Sequence, residues 1–329
     1  MSGCRAGFWL VACALALVAL TGWRAVAQEW PAKPIRVVVP FAGGGGIDTL
    51  TRVFVQRLSD ALGQPVNVEN NPGGNGVAAA SEVARATADG YTLLVATVAT
   101  HAIAPAVNRK LAYDPLKDFT PVTYLAASPY VLVISPALPI RTVSELISYG
   151  KSRGAAGGLK FATGGSGSLS YLITEYFRQR VGIDVEAVTY KGQSLALPDL
   201  MTGQVAGMFE HISQTQRHSE NGVVKSIAIT SATRSPLAGE LPSMAESGIA
   251  GFSAVAWLGI VGPPRMPDGI VARLNRDVQR TLAAPEVVQR FHDLGAEAVG
   301  FGPERFDAFI RAEVDKWAKV AAAAKPRAE

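Results

Sequence analysis

The chain has 329 residues, with 31 Lys and Arg against 27 Asp and Glu and only 2 cysteines. That length supports one large or two medium domains with a substantial core, and a formal charge of +4 is too small to make nucleic acid the main partner. Both cysteines, Cys4 and Cys13, stand at the very start, so the remainder has no disulfide, no thiolate metal ligand and no cysteine nucleophile.

The first 27 residues read as an export signal. Arg5 supplies a positive start, Phe8 to Leu20 an apolar run, and Ala25-Val26-Ala27 a small-residue cleavage site before Gln28. The run is too short for a membrane span. Leu10-Val11-Ala12-Cys13 has the look of a lipoprotein box, but it falls inside the apolar run and leaves too little apolar sequence ahead of it. Cleavage removes Arg5 and Arg24, so the mature surface is closer to neutral. Export without disulfides suits a bacterial periplasm.

Short apolar runs then alternate with amphipathic segments. Strands are expected at Ile35–Val39, Val66–Glu69, Tyr91–Ala96, Val131–Ile134, Lys160–Ala162, Val185–Tyr190, Val205–Phe209 and Ile227–Thr230. Helices are expected at Asp48–Leu62, Gly76–Ala86, Val143–Ser152, Leu169–Arg180 and Leu195–Thr202. The C-terminal third reads as helical over Ile270–Ala283, Glu286–Leu294 and Glu304–Ala323. This alternation implies an α/β fold with mainly parallel sheet covered by helices on both faces. Thr142 with Glu145 forms a capping-box pair. Val122–Ile134, split by Ala127-Ser128-Pro129, and Phe252–Val261 have the form of crossings between two lobes. The pattern alone leaves a single continuous sheet equally open.

Three glycine-rich loops follow strand candidates: Phe41 to Asp48, Asn70 to Gly76, and Thr163 to Ser168. Each alone is compatible with a tight turn. Three at the carboxyl ends of strands, where open parallel sheets bind ligands, point instead to a cleft. Backbone N–H groups can approach a ligand closely there, and a following helix start favours an anion. The P-loop pattern is absent, and the first loop lacks G-x-G-x-x-G spacing because Ile47-Asp48-Thr49 follows Gly46. Gly164-Gly165-Ser166-Gly167-Ser168 ends in serine where a hydrolase elbow needs glycine. A periplasmic hydrolase using Ser166 with His101 or His211 is the alternative from another class.

The histidines His101, His211, His218 and His292 stand in no metal-binding spacing, and no metal site or cofactor is implied. His292 is most simply a surface residue. His101, beyond Thr97 at a strand end, reads either as a cleft residue or as a partly exposed loop histidine. Tyr190-Lys191-Gly192 ends another strand at the same sheet edge. Trp257 reads as packing.

These pieces, in their order and spacing, resemble the Bug-type receptors, the extracytoplasmic solute-binding proteins of tripartite tricarboxylate transporters. The stretches are PAKPIRVVVPFAGGGGIDTLTR (Pro31–Arg52), VENNPGGNG (Val68–Gly76), DGYTLLVAT (Asp89–Thr97), FATGGSGSLSYL (Phe161–Leu172), VTYKG (Val188–Gly192), LMTGQVAGMF (Leu200–Phe209), SIAITSATRSP (Ser226–Pro236), AWLGIVGPP (Ala256–Pro264) and FIRAEVDKWAKV (Phe309–Val320). The resemblance covers the mature chain. It implies an α/β, two-lobed periplasmic binding protein (type II-like), with two crossing strands: residues 28–126 and 253–329 in lobe 1, and 127–252 in lobe 2. It implies non-catalytic capture of a small carboxylate by a periplasmic monomer, with no cofactor. The membrane subunits of the transporter, or a sensor protein, would be its partners.

Ligand contacts are then expected at Phe41, Ala42, Gly44, Gly45, Gly46 and Asp48. The facing loop supplies Thr163, Gly164, Ser166, Gly167 and Ser168, with Thr97, His101, Tyr190, Lys191 and Gly192 nearby. Asp48 is read as capping or neutralising its helix start. Two departures from similar sequences concern the ligand: Ala206 stands where many carry an acidic residue, and Ile47 where Thr, Ser or Ala is common.

Overall fold

The structure is a computed structural model that describes residues 29–153, 158–165 and 167–324. The export signal expected over residues 1–27, with both cysteines, and Ser166 of the third loop lie outside the described residues.

Three parallel strands begin the fold: β1 (Ile35–Val39), β2 (Val66–Asn70) and β3 (Thr92–Thr97), in the order β2-β1-β3. Four of the five β1 residues are buried, as a strand covered on both faces requires. Helix α1 (Gly46–Leu62) makes the first crossover, burying Leu50, Phe54, Leu58 and Leu62 along one stripe and ending at Gly63 in the left-handed region. Helix α2 (Val77–Val83) makes the second. A π-helical turn, Ala99–Ile103, leads into the one-turn helix α3 (Ala104–Val107).

Strand β4 (Thr120–Ile134) runs unbroken for 15 residues. The sequence reading split this segment at Ala127-Ser128-Pro129. The structure corrects that, because Pro129 sits where β4 exchanges one neighbour for another: Pro129 pairs with Val255, and the next residue, Tyr130, pairs with His211.

Helix α4 (Val143–Arg153), strand β5 (Leu159–Thr163), helix α5 (Leu169–Val181) and strand β6 (Val185–Thr189) follow. Half of the expected capping box is present: Thr142 Oγ1 accepts from Glu145 N at 3.1 Å, while the Glu145 carboxylate reaches one residue further back and accepts from Arg141 N at 2.7 Å. Next come helix α6 (Leu197–Thr202), strand β7 (Gly207–His211), helix α7 (Ile212–Glu220) and strand β8 (Lys225–Ile229). Strand β9 (Val255–Gly262) returns the chain to β3 and β4, and helices α8 (Asp268–Leu282) and α9 (Pro285–Asp293) precede the two-residue β10 (Glu297–Ala298). Helix α10 (Pro303–Ala323) ends the described chain.

The strands fall into two sets that share β4. Its first part, through Pro129, joins β2-β1-β3-β9 and β10, and its last five residues join β7-β5-β6 and β8. The outer strands of each set are parallel, and β4 and β9 run antiparallel to their neighbours, so the sheet is mixed rather than mainly parallel. Helix α10 spans the join. Phe306, Ile310, Trp317 and Val320 are buried on it, and its last turns meet α5, where Gln179 donates to the Val320 carbonyl at 3.1 Å. Glu313 is buried among these apolar residues because it accepts both indole N–H groups, from Trp257 at 3.0 Å and Trp317 at 2.9 Å, and the Lys316 ammonium.

Candidate functional site

A cavity of about 370 Å³ opens where the two strand sets meet. Its lining comes from the start of α1 (Gly46, Ile47, Leu50), the turn after β3 (Thr97, Val98, Ala99), and β4 at the switch of neighbours (Ser128, Tyr130). Leu169, the first residue of α5, and His211, Ser213 and Gln214 at the start of α7 also line it, with Phe41, Ala256, Trp257, Leu258, Leu294 and Ala296. Three helix N-termini therefore border one space, and the first N–H groups of a helix have no partner within it.

The first loop is built to leave such groups free. Gly44 has φ +82°, a conformation side chains resist, while a Cβ on Gly46 would meet nothing within 4 Å. Asp48 does not face the cavity. It is buried, accepts Gly44 N–H at 2.8 Å and Asn70 Nδ2 at 2.9 Å, and pairs with Arg52 at 3.0 Å. Burial pushes its carboxyl up, but the Arg52 guanidinium, the Gly44 amide and the Asn70 amide prevail and hold it down at about 2. The second glycine loop braces the first. Asn70 also donates to the Phe41 carbonyl at 2.9 Å, and Gly76, at φ +91°, packs so closely that a Cβ would come within 2.7 Å of Thr100.

The facing loop is internally bonded. Ser168 caps α5, accepting from Tyr171 N at 3.2 Å, Gly164 N donates to Ser170 Oγ at 3.1 Å, and the buried Thr163 hydroxyl donates to the Val188 carbonyl at 3.4 Å. Of the expected contacts, the structure brings Phe41, Gly46 and Thr97 to the cavity wall. Ala42, Gly44, Gly45, Gly164, Gly167 and Ser168 lie in the flanking loops without lining it.

His101 is placed elsewhere. It is fully buried, 4.7 Å from the Phe119 ring, with Nδ1 bonded to Thr100 Oγ1 at 2.9 Å and Nε2 without a partner in the described structure. Burial depresses its pKa to about 3, so it stays neutral. The open loop histidine read from sequence is corrected here, because the π-helical turn folds the ring inward against Tyr113 and Phe119. Tyr190 donates to Asp199 at 2.6 Å, Lys191 is exposed, and Gly192 lines a neighbouring cavity with Gln193, Ser194, Gln214, Arg217 and His218. Gln214 borders both spaces. Ala206 lines neither.

The sequence reading missed the contribution of α7. ISQTQRHSE buries only Ile212 and Thr215, so it shows no apolar stripe to betray a helix. It also left Trp257 as packing, whereas this buried ring forms part of the wall.

Comparison with known proteins agrees with this architecture. Residues 50–325 match the family model described as "Tripartite tricarboxylate transporter family receptor". The chain is 36% identical to BugT of Bordetella pertussis over 295 residues, 89% of this chain and 90% of that protein. Among solved structures it is similar to Rpa4515 of R. palustris with adipate (35% identity, TM-score 0.73, 90% of this chain and 98% of that one). It is also similar to MatC from Rhodopseudomonas palustris with bound malate (36% identity, TM-score 0.70, 89% and 100%). The chain belongs to the tripartite tricarboxylate transporter family of receptors.

Proposed function

We propose that this receptor captures a small carboxylate in the periplasm, without chemistry, and presents it to the membrane subunits of a transporter. The observation that carries the reading is the cavity bordered by three helix starts, from α1, α5 and α7, drawn from both strand sets. In this reading the described parts of residues 28–126 and 253–329 form one lobe and those of 127–252 the other, with α10 reaching across to α5. A carboxylate contacts the Phe41–Asp48 and Thr163–Ser168 loops together only when the lobes approach, so binding shifts the population towards the closed form. Adipate and malate, bound by the two similar receptors, are ligands of this class.

Micromolar capture requires about −8 kcal/mol. Charge-assisted bonds from N–H groups, each worth about 1.5–3 kcal/mol net, supply much of it. No arginine is needed at the anion, since helix N-termini provide the positive potential. Asp48 does not oppose this, because Arg52 balances its charge.

The test is thermal unfolding against a panel of carboxylates, with the ligand recovered and weighed by mass spectrometry. A true ligand at a hundred times its Kd raises stability by about 2.7 kcal/mol and is recovered unchanged. Turnover of an ester or amide, abolished by Ser166→Ala, would instead establish a hydrolase.

A further inference from the structure

Helix α7 leads from the cavity described above into a second one. Ser213 and Gln214 line the first, and Arg217 and His218, one helical turn further on the same face, line the second. This second cavity, of about 480 Å³, is completed by Gly192, Gln193, Ser194 and Gln214. Gln214 belongs to both, so the two spaces adjoin at its side chain. The segment that supplies Gly192 to Ser194 runs beside the facing loop, where Tyr190 N–H donates to the Thr163 carbonyl at 2.9 Å.

The second cavity carries a cation with nothing to pair it. The Arg217 guanidinium is exposed and makes no hydrogen bond or ion pair among the described residues, and the same holds for the side chains of Ser194 and Gln214. Lys191, also exposed, directly precedes Gly192. Glu210 does not cancel this charge. It is fully buried, and both its oxygens are taken by His218 Nδ1, at 2.9 and 3.1 Å. The Gln193 amide is likewise used, donating to the Phe209 carbonyl at 2.6 Å. A guanidinium fork in a recess suits a carboxylate, which it can meet with two parallel N–H bonds.

We propose that Arg217, with Ser194 and Gln214, forms a second anion subsite, which takes the far carboxylate of an elongated dicarboxylate whose first carboxylate is held at the α1 start. The spacer between the two runs past Gln214. The inference rests on the carboxylate-capture reading above and extends it, since a monocarboxylate would leave this guanidinium unused.

The experiment is calorimetric titration of the mature chain with succinate, adipate and suberate, each beside the monocarboxylate of equal length (butyrate, hexanoate, octanoate), and with uncharged hexanol. At least one dicarboxylate is expected to bind more than about tenfold tighter than its monocarboxylate. Arg217→Gln is expected to erase that advantage while leaving monocarboxylate affinity and the thermal midpoint unchanged, and Arg217→Lys to restore part of it. Equal affinity within every pair, or an advantage that survives Arg217→Gln, would overturn this inference and leave the carboxylate reading standing. Hexanol matching hexanoate would overturn the carboxylate reading itself. Silence from every acid would overturn that reading and this inference with it.

Discussion

The imidazole Nε2 of His211 lies 2.9 Å from the hydroxyl of Ser128. Ser128 also donates to the Gly295 carbonyl, and His211 Nδ1 accepts from Ser213 N. This order of donors requires the proton on Nε2. One neutral histidine thus ties the start of α7 to β4 at its change of neighbours and, through Ser128, to the segment after α9.

His211→Phe keeps the ring, which meets Tyr130 edge-on at 5.6 Å, and removes the hydrogen bonds of both ring nitrogens, to Ser128 and to the Ser213 hydroxyl and amide. Urea unfolding is expected to show a loss of about 1–3 kcal/mol, with weaker ligand binding because the α7 start is no longer held. Wild-type values for both would contradict the role assigned to this link.

His101 gives a pH signature. Its folded pKa, about 3, lies below the reference value of 6.5 because burial disfavours the charged ring. The unfolded chain binds the proton first, so stability is whole above about 6.5 and declines as pH falls towards 3. The slope from this group approaches about 1.4 kcal/mol per pH unit. His101→Phe is expected to flatten that part of the acid-unfolding curve and to leave ligand affinity unchanged, as measured by denaturation at stepped pH and by calorimetry. An unchanged slope would show that the ring does not remain neutral.

Gly44 and Gly46 are interchangeable members of a glycine run by sequence, and the structure separates them. Gly44→Ala forces a side chain into φ +82° and is expected to cost about 1–2 kcal/mol of stability. Gly46→Leu has backbone freedom at the helix start but projects into the cavity. Its thermal midpoint is expected to match or exceed wild type, while carboxylate affinity falls more than about tenfold. A tight-binding Gly46→Leu protein would show that the loop is only a turn.

Arg52→Ala tests the electrostatics of the same helix. It leaves the Asp48 carboxylate buried without its cation, and also frees Asn70 Oδ1 from its 3.0 Å bond. A loss of about 1–3 kcal/mol is expected, together with weaker and more salt-sensitive carboxylate binding, because uncompensated negative charge then stands at the α1 start. Unaltered affinity would mean that the ligand's anion sits away from α1.

Much of the fold was legible because burial imposed pattern. The β1 run Ile35–Val39 and the α1 stripe from Leu50 to Leu62 are apolar where the chain is covered. The helix α7 was illegible for the opposite reason, being nearly all polar on a site rim. In the candidate site, the glycine run and Thr97 could be read as strand-end features, and Asp48 as the charge that settles its own helix. The inward turn of His101 depends on Tyr113 and Phe119, residues distant from it in pattern though close in space. Nor does local sequence reveal that Ala206, next to β7, lies off the cavity.

The most direct measurement is a crystal structure of the mature protein with a bound carboxylate. The carboxylate oxygens are predicted within hydrogen-bond distance of the N–H groups at Gly45 to Ile47 and of the Thr163–Ser168 loop, with the ligand body against Ile47 and Trp257. A ligand with no carboxylate at α1, whether seated in another cavity or turned towards Gln214, would contradict the account.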